Sequence, residues 1–146
     1  MTANVFVDTN VLIYALDAGD PFKQRIAQQW RNELWKRRNG RVSYQVLQEF
    51  YASVTRKWAN AQQGVREEIL DLVNWQPVTI DYVIVDNAWR IQDRYQLSFW
   101  DSLIVAAAKS ASCRYLLTED LQAGQKIDGV TVVNPFVFGP EQILGA

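Results

Sequence analysis

Histidine is missing from this chain of 146 residues, and cysteine occurs once, at Cys113. The first absence removes imidazole acid–base chemistry and imidazole metal ligands. The second removes an intrachain disulfide and any cysteine-held zinc. No apolar run reaches the roughly 18 residues that a membrane-spanning helix needs. The N-terminus carries no basic segment ahead of a long apolar run, so no secretory leader and a cytoplasmic location are expected. A charge bias is lacking too: 15 basic residues meet 16 acidic ones, for a net charge of −1. The chain as a whole therefore does not attract a polyanion. Any nucleic-acid contact must come from a local basic patch or from bound cations. Internal repeats, low-complexity tracts and domain linkers are not seen.

What is present reads as one α/β domain over residues 1–146, long enough to bury a core. Val5-Phe6-Val7 is a short apolar run closed by Asp8-Thr9-Asn10, the pattern of a buried strand, and Val11 to Leu16 suit a short helix. Asp20 and Pro21 open a helix to about Arg38, with Phe22, Ile26, Trp30 and Leu34 as its stripe and Asn39-Gly40 as its stop. Arg41-Val42-Ser43 is a strand candidate, and Ser43 caps a helix from Tyr44 to about Trp58. Leu47, Phe50, Tyr51 and Val54 share its apolar face, with Glu49 nearly opposite, on the side of Gln45. Further helices are expected over 64–75, from an Asp81 cap to about Tyr95, and from a Ser98 cap, and further strands over 78–80, 114–118 and 130–133. Residues 142–146 read as a loose tail. Short strands alternating with helices predict a three-layer α/β/α arrangement around a parallel sheet of four to five strands.

Four acids stand out by context. Asp8 follows an apolar strand, Glu49 lies on the polar side of a core-facing helix, Asp101 opens the most apolar helix, and Asp120 follows another strand. Each has an ordinary structural role available. Asp8 suits an Asx turn, Asp101 a capping box, Glu49 a solvated helix face, and Glu119 or Asp120 the cap of a short turn. In a parallel sheet, the strand ends and the adjoining helix starts meet at one edge. Asp8, Asp101 and Asp120 therefore converge naturally, whereas periodicity alone does not bring Glu49 to them. Asn10 stands where a haloacid-dehalogenase-like phosphatase needs a second acid, and no Gly-x-Gly-x-x-Gly loop follows the first strand.

Taken in order, four segments resemble the motifs of PIN-domain nucleases. They are Phe6-Val7-Asp8-Thr9-Asn10, Gln45-Val46-Leu47-Gln48-Glu49, Phe99-Trp100-Asp101-Ser102-Leu103 and Leu116-Leu117-Thr118-Glu119-Asp120. The resemblance spans about residues 3–134, with 135–146 as a tail, and within the family it is strongest to VapC-type toxins of bacterial toxin–antitoxin pairs. It implies an acidic cluster of Asp8, Glu49, Asp101 and Asp120. Asp8 and Asp101 would be direct ligands of Mg²⁺ or Mn²⁺, with Glu49 and Asp120 ligating directly or through water. Thr9, Asn10, Thr118 and Glu119 would support them, and the adjacency of Glu119 and Asp120 leaves the fourth position open. Hard oxygen donors without His or Cys suit such a cation. The implied reaction is attack of a metal-activated water on an RNA phosphodiester, leaving a 5′-phosphate and a 3′-hydroxyl. The resemblance also implies a small VapB-like antitoxin as partner and a homodimer. The alternatives are a catalytically silent PIN-like interaction module, and a PIN-like nuclease acting on DNA or in RNA processing outside a toxin–antitoxin pair. Arg37, Arg38, Arg41, Arg56 and Lys57 are the candidate RNA-backbone contacts, against a bland reading as solvated helix ends. Of six tryptophans, Trp30 and Trp89 follow core stripes; Trp35, Trp58, Trp75 and Trp100 lie near element ends.

Overall fold

Val5, Phe6 and Val7 are all buried, as a strand covered on both faces of a parallel sheet requires. They form most of β1 (Asn4–Val7), an interior strand of the sheet in a computed structural model that describes residues 3–146. In chain order there follow α1 (Thr9–Tyr14), α2 (Pro21–Arg37), β2 (Gly40–Arg41), α3 (Tyr44–Lys57) and α4 (Gln62–Leu72). A 3₁₀ turn (Val73–Trp75) leads to α5 (Tyr82–Tyr95), α6 (Phe99–Ser110) and β3 (Cys113–Leu117). The chain closes with β4 (Lys126–Ile127), β5 (Val130–Val133) and α7 (Pro140–Leu144). The sheet order is β2-β1-β3-β5-β4. All pairings are parallel except β4 with β5. With helices on both sides this is the three-layer α/β/α architecture expected from the sequence. None of the described helices is long and apolar enough to cross a membrane.

Strand order places the site. From β1 the chain moves outward to β2, then returns to β3 on the other flank of β1. A crevice opens at the carboxyl end of the strands where the winding reverses, and ligands of open α/β folds bind there. Asp8 and Thr118 directly follow the two strands that border it.

The caps follow the sequence. The side chains of Asp20, Ser43, Asp81 and Ser98 each accept a backbone N–H from the first turn of α2, α3, α5 and α6, satisfying donors that a helix start leaves unpaired. The end of α2 differs. Its left-handed residue is Arg38, with φ 58°, and Gly40 is instead the first residue of β2. A Cβ added at Gly40 would lie 2.8 Å from carbons of the Trp75 ring. This glycine is there for close approach, not for a turn. The expected strand at 78–80 reduces to one parallel bridge between Ser43 and Val78, and β4 is a short antiparallel addition that periodicity does not reveal. The expected loose tail contains α7, which packs on α2. Arg37 donates to the carbonyls of Leu144 and Gly145 at 3.4 and 2.6 Å. The tryptophans also redistribute. Trp30 and Trp75 are buried, whereas Trp89 is 46% exposed. Trp30 Nε1 reaches the carbonyls of Pro135 and Phe138, which ties the tail region to the core.

Two glycines give opposite expectations. Gly40→Ala should lower unfolding stability by about 1–3 kcal/mol through overpacking against Trp75. Gly64, within α4, has nothing within 4 Å of an added Cβ, so Gly64→Ala should raise stability by about 0.5–1 kcal/mol. Urea denaturation of the two variants beside wild type measures both signs.

Candidate active site

Asp8 leaves β1 and caps α1. Its Oδ1 accepts the Thr9 N–H at 2.7 Å, and its own N–H donates to the Leu117 carbonyl at 3.0 Å. It is only 7% exposed. Across the crevice, Thr118 follows β3 and its hydroxyl donates to Asp8 Oδ2 at 2.9 Å. That hydroxyl also accepts from the Asp120 N–H at 3.1 Å and from Asn10 Nδ2 at 3.0 Å. Asn10 Nδ2 gives its second hydrogen to Asp120 Oδ2 at 2.9 Å. Its 3.5 Å approach to Asp8 Oδ2 is then electrostatic, because an amide nitrogen has two hydrogens. Asn10 and Thr118 thus bind two acids to each other.

Glu49 joins from α3. Its Oε2 accepts from Thr9 Oγ1 at 3.1 Å and its Oε1 from Gln45 Nε2 at 3.1 Å. The same Gln45 nitrogen makes a long 3.5 Å contact with the carbonyl of Trp100, the residue before Asp101. Gln45, which the sequence placed on the side of Glu49 without a role, is therefore a member of the site, as its spacing of four from Glu49 on one helix allows. Asp101 sits in the first turn of α6, where its N–H donates to Ser98 Oγ at 3.1 Å. Its carboxylate has no hydrogen-bond or ion-pair partner among the described residues.

Glu119 and Asp120 part company. Glu119 turns to Lys23 of α2, with Nζ at 2.7 Å from Oε2. Lys23 also donates to Tyr14 Oη at 3.3 Å and lies over the Tyr14 and Phe136 rings at 4.6 and 4.9 Å from their centroids. Nothing in the sequence marks Lys23. The basic candidates separate as well. Arg37 is held by Glu33 and by the tail, and Lys57 by Asp17 and the Trp58 ring. Arg56 is exposed at the end of α3. Arg38 caps the end of α2, and Arg41 lies in β2, paired in register with Phe6.

The electrostatics follow from burial. Removing the Asp8 carboxyl from water pushes its pKa up to about 6, against the lowering effect of the Thr9 and Thr118 hydrogen bonds, and the charges of Asp120 and Glu49 add to the rise. No three carboxylates among the described residues lie within reach of one ion. The donor chemistry nonetheless fits a hard divalent cation: every available ligand is an oxygen. Two buried amide oxygens, Asn10 Oδ1 and Gln45 Oε1, have no hydrogen-bond partner, and buried acceptors of that kind call for a donor or a cation.

Asp8, Asp120 and Glu49 thus meet at the winding reversal of the sheet, held by Thr9, Asn10 and Thr118. The PIN-domain family model matches residues 5–126, and the chain belongs to that family. A search of curated proteins found no match. Among solved structures, the chain is similar to a toxin–antitoxin complex from Klebsiella pneumoniae. The TM-score is 0.64 at 20% identity, covering 90% of this chain and 98% of that one. It is also similar to FitAB bound to a DNA fragment, with TM-score 0.70, 19% identity and coverage of 90% and 95%. A third is the sarcin–ricin-loop-cleaving VapC toxin of Mycobacterium tuberculosis, with TM-score 0.60, 19% identity and coverage of 77% and 87%. What these three share with the chain is the fold.

The burial of Asp8 gives a signed expectation. Its folded pKa, about 6, exceeds the ordinary value of 3.8. Its contribution to stability is therefore complete below about pH 4 and declines by about 3 kcal/mol as pH rises through 6. In EDTA at pH 7, Asp8→Asn should be more stable than wild type by about 1–3 kcal/mol, and at pH 4 the advantage should vanish. Thermal denaturation at the two pH values decides; an equal gap at both would contradict the role of burial.

Proposed function

We propose that this protein is a divalent-cation-dependent endoribonuclease and the toxin of a toxin–antitoxin pair. The observation that carries the reading is the linkage of Asp8, Asp120 and Glu49 through Asn10, Thr118 and Thr9 at the crevice between β1 and β3. Asp8 and Asp101 are the proposed ligands of Mg²⁺ or Mn²⁺, with Glu49 and Asp120 completing the set. Asp120 is favoured over Glu119 as the fourth acid because Lys23 already neutralises Glu119. A bound cation supplies charge neutralisation at the phosphodiester and polarises the attacking water. The chain's own residues do the positioning. Thr118 and Asn10 hold Asp8 and Asp120 in fixed relation. Thr9 and Gln45 orient Glu49, which would ligate the cation directly or hold a water beside it. Two structurally similar proteins, a toxin–antitoxin complex and a toxin that cleaves the sarcin–ricin loop, support RNA as substrate and a small VapB-like antitoxin as partner. A homodimer and a cytoplasmic location belong to the same proposal.

The spacing of the acids favours one other reading. With no three carboxylates at ion-holding distance among the described residues, the chain would be a PIN-like interaction module without catalysis. Cleavage of ribosomal RNA and short oligoribonucleotides, with Mg²⁺ or Mn²⁺ and with EDTA, separates the two. Cleavage is expected with metal, none with EDTA, and a loss of about 100-fold or more in Asp8→Asn, as removal of one preorganised charged group typically gives. Undiminished cleavage by Asp8→Asn would sink the mechanism. Failure to cut any RNA, together with tight binding of a protein partner, would establish the interaction module.

A further inference from the structure

Away from the acidic crevice, Trp35, Arg38, Arg41, Asn74, Trp75 and Gln76 line a cavity of about 410 Å³. It lies where α2 ends, β2 begins and the 3₁₀ turn closes. None of Asp8, Glu49, Asp101 and Asp120 lines it.

The lining carries two guanidinium groups and no acid. Neither Arg38 nor Arg41 has a carboxylate partner among the described residues, although Arg31 and Arg37 nearby on α2 both do. Arg41 Nη1 donates to the carbonyls of Gly40 at 2.7 Å and Arg38 at 3.3 Å. These bonds fix the guanidinium and leave its other donors available. The Trp35 ring is 46% exposed, and Trp75, buried against Gly40, forms a wall. The Trp75 indole N–H has no acceptor among the described residues. Asn74 uses its NH₂ on the Asp71 carbonyl, which leaves its amide oxygen as an acceptor.

We propose that this cavity binds a phosphorylated nucleoside, as a free mononucleotide or as one unit of a single RNA strand. The guanidiniums take the phosphate through charge-assisted hydrogen bonds. The base stacks on Trp35, whose planar face accepts any base. Asn74 and Gln76 offer amide donors and acceptors to the base edge. The volume lies within the range of small-ligand sites. The site stands independently of the nuclease reading, since none of its residues belongs to the acidic cluster.

The test is calorimetric titration of the folded protein in EDTA, so that no cation at the acidic crevice contributes. The titrants are the four nucleoside monophosphates, inorganic phosphate, and a short single-stranded RNA. Saturable binding of a mononucleotide or of the RNA is expected, with the active arm telling free ligand from strand. Affinity should fall at least about tenfold in Arg38→Gln/Arg41→Gln, the loss of roughly one charge-assisted hydrogen bond, and stay unchanged in Arg90→Gln on α5. Trp35→Leu, an exposed position that should fold normally, should weaken nucleotide binding and leave phosphate binding alone. The proposal is overturned if neither nucleotide nor RNA saturates, if the arginine and tryptophan variants bind as wild type does, or if inorganic phosphate binds as tightly as the nucleotides.

Discussion

The carboxyl of Asp8, buried between two parallel strands, is the constraint on which the rest of the site depends. A charge there is opposed by desolvation, and the fold answers with a backbone N–H from Thr9 and a hydroxyl from Thr118. These donors do not cancel the burial effect, since the carboxyl still binds its proton more tightly than a solvated one. Such a residue weakens the isolated fold at neutral pH. It is held there by the sheet itself, because β1 and β3 are hydrogen-bonded neighbours and their following residues have nowhere else to go.

From that carboxyl the network spreads by two short polar side chains. Thr9 links to Glu49, and Asn10 links to Asp120. Both belong to the first turn of α1, so one helical turn sets the relation of three acids on three different elements. Gln45 extends the same logic toward α6 through Glu49. Around this centre, charge is distributed by pairing rather than by a uniform field. Lys23 occupies Glu119, and Arg37 closes the tail onto α2. With Arg37 and Lys57 engaged, Arg38 and Arg41 near β2 have no carboxylate partner among the described residues, beside a cavity that no acid lines. A chain with net charge −1 thus keeps an acidic and a basic cluster apart, as local clustering permits whatever the total.

The alternation of strands and helices, the caps at Asp20, Ser43, Asp81 and Ser98, and the buried runs of β1 and α6 were all legible in the sequence. Each is set by nearest-neighbour chemistry: a side-chain oxygen before a helix, or apolar residues at the right period. The acids at strand ends were legible for the same reason, since Asp8 and Asp120 inherit their edge from the strands before them. What the sequence could not determine is everything that depends on which surface meets which. Trp89, on an expected core stripe, is half exposed, while Trp75, near an element end, is buried; Gly40 serves a ring 35 residues away rather than a turn, and the tail becomes a helix because α2 offers Arg37 to its carbonyls. Glu49 reaches the crevice only because α1 packs on α3. Periodicity fixes which face of a helix a residue occupies, but only packing between elements distant in sequence fixes what that face confronts. That is why the acids were written in the sequence, and their linkage was decided by the tertiary structure.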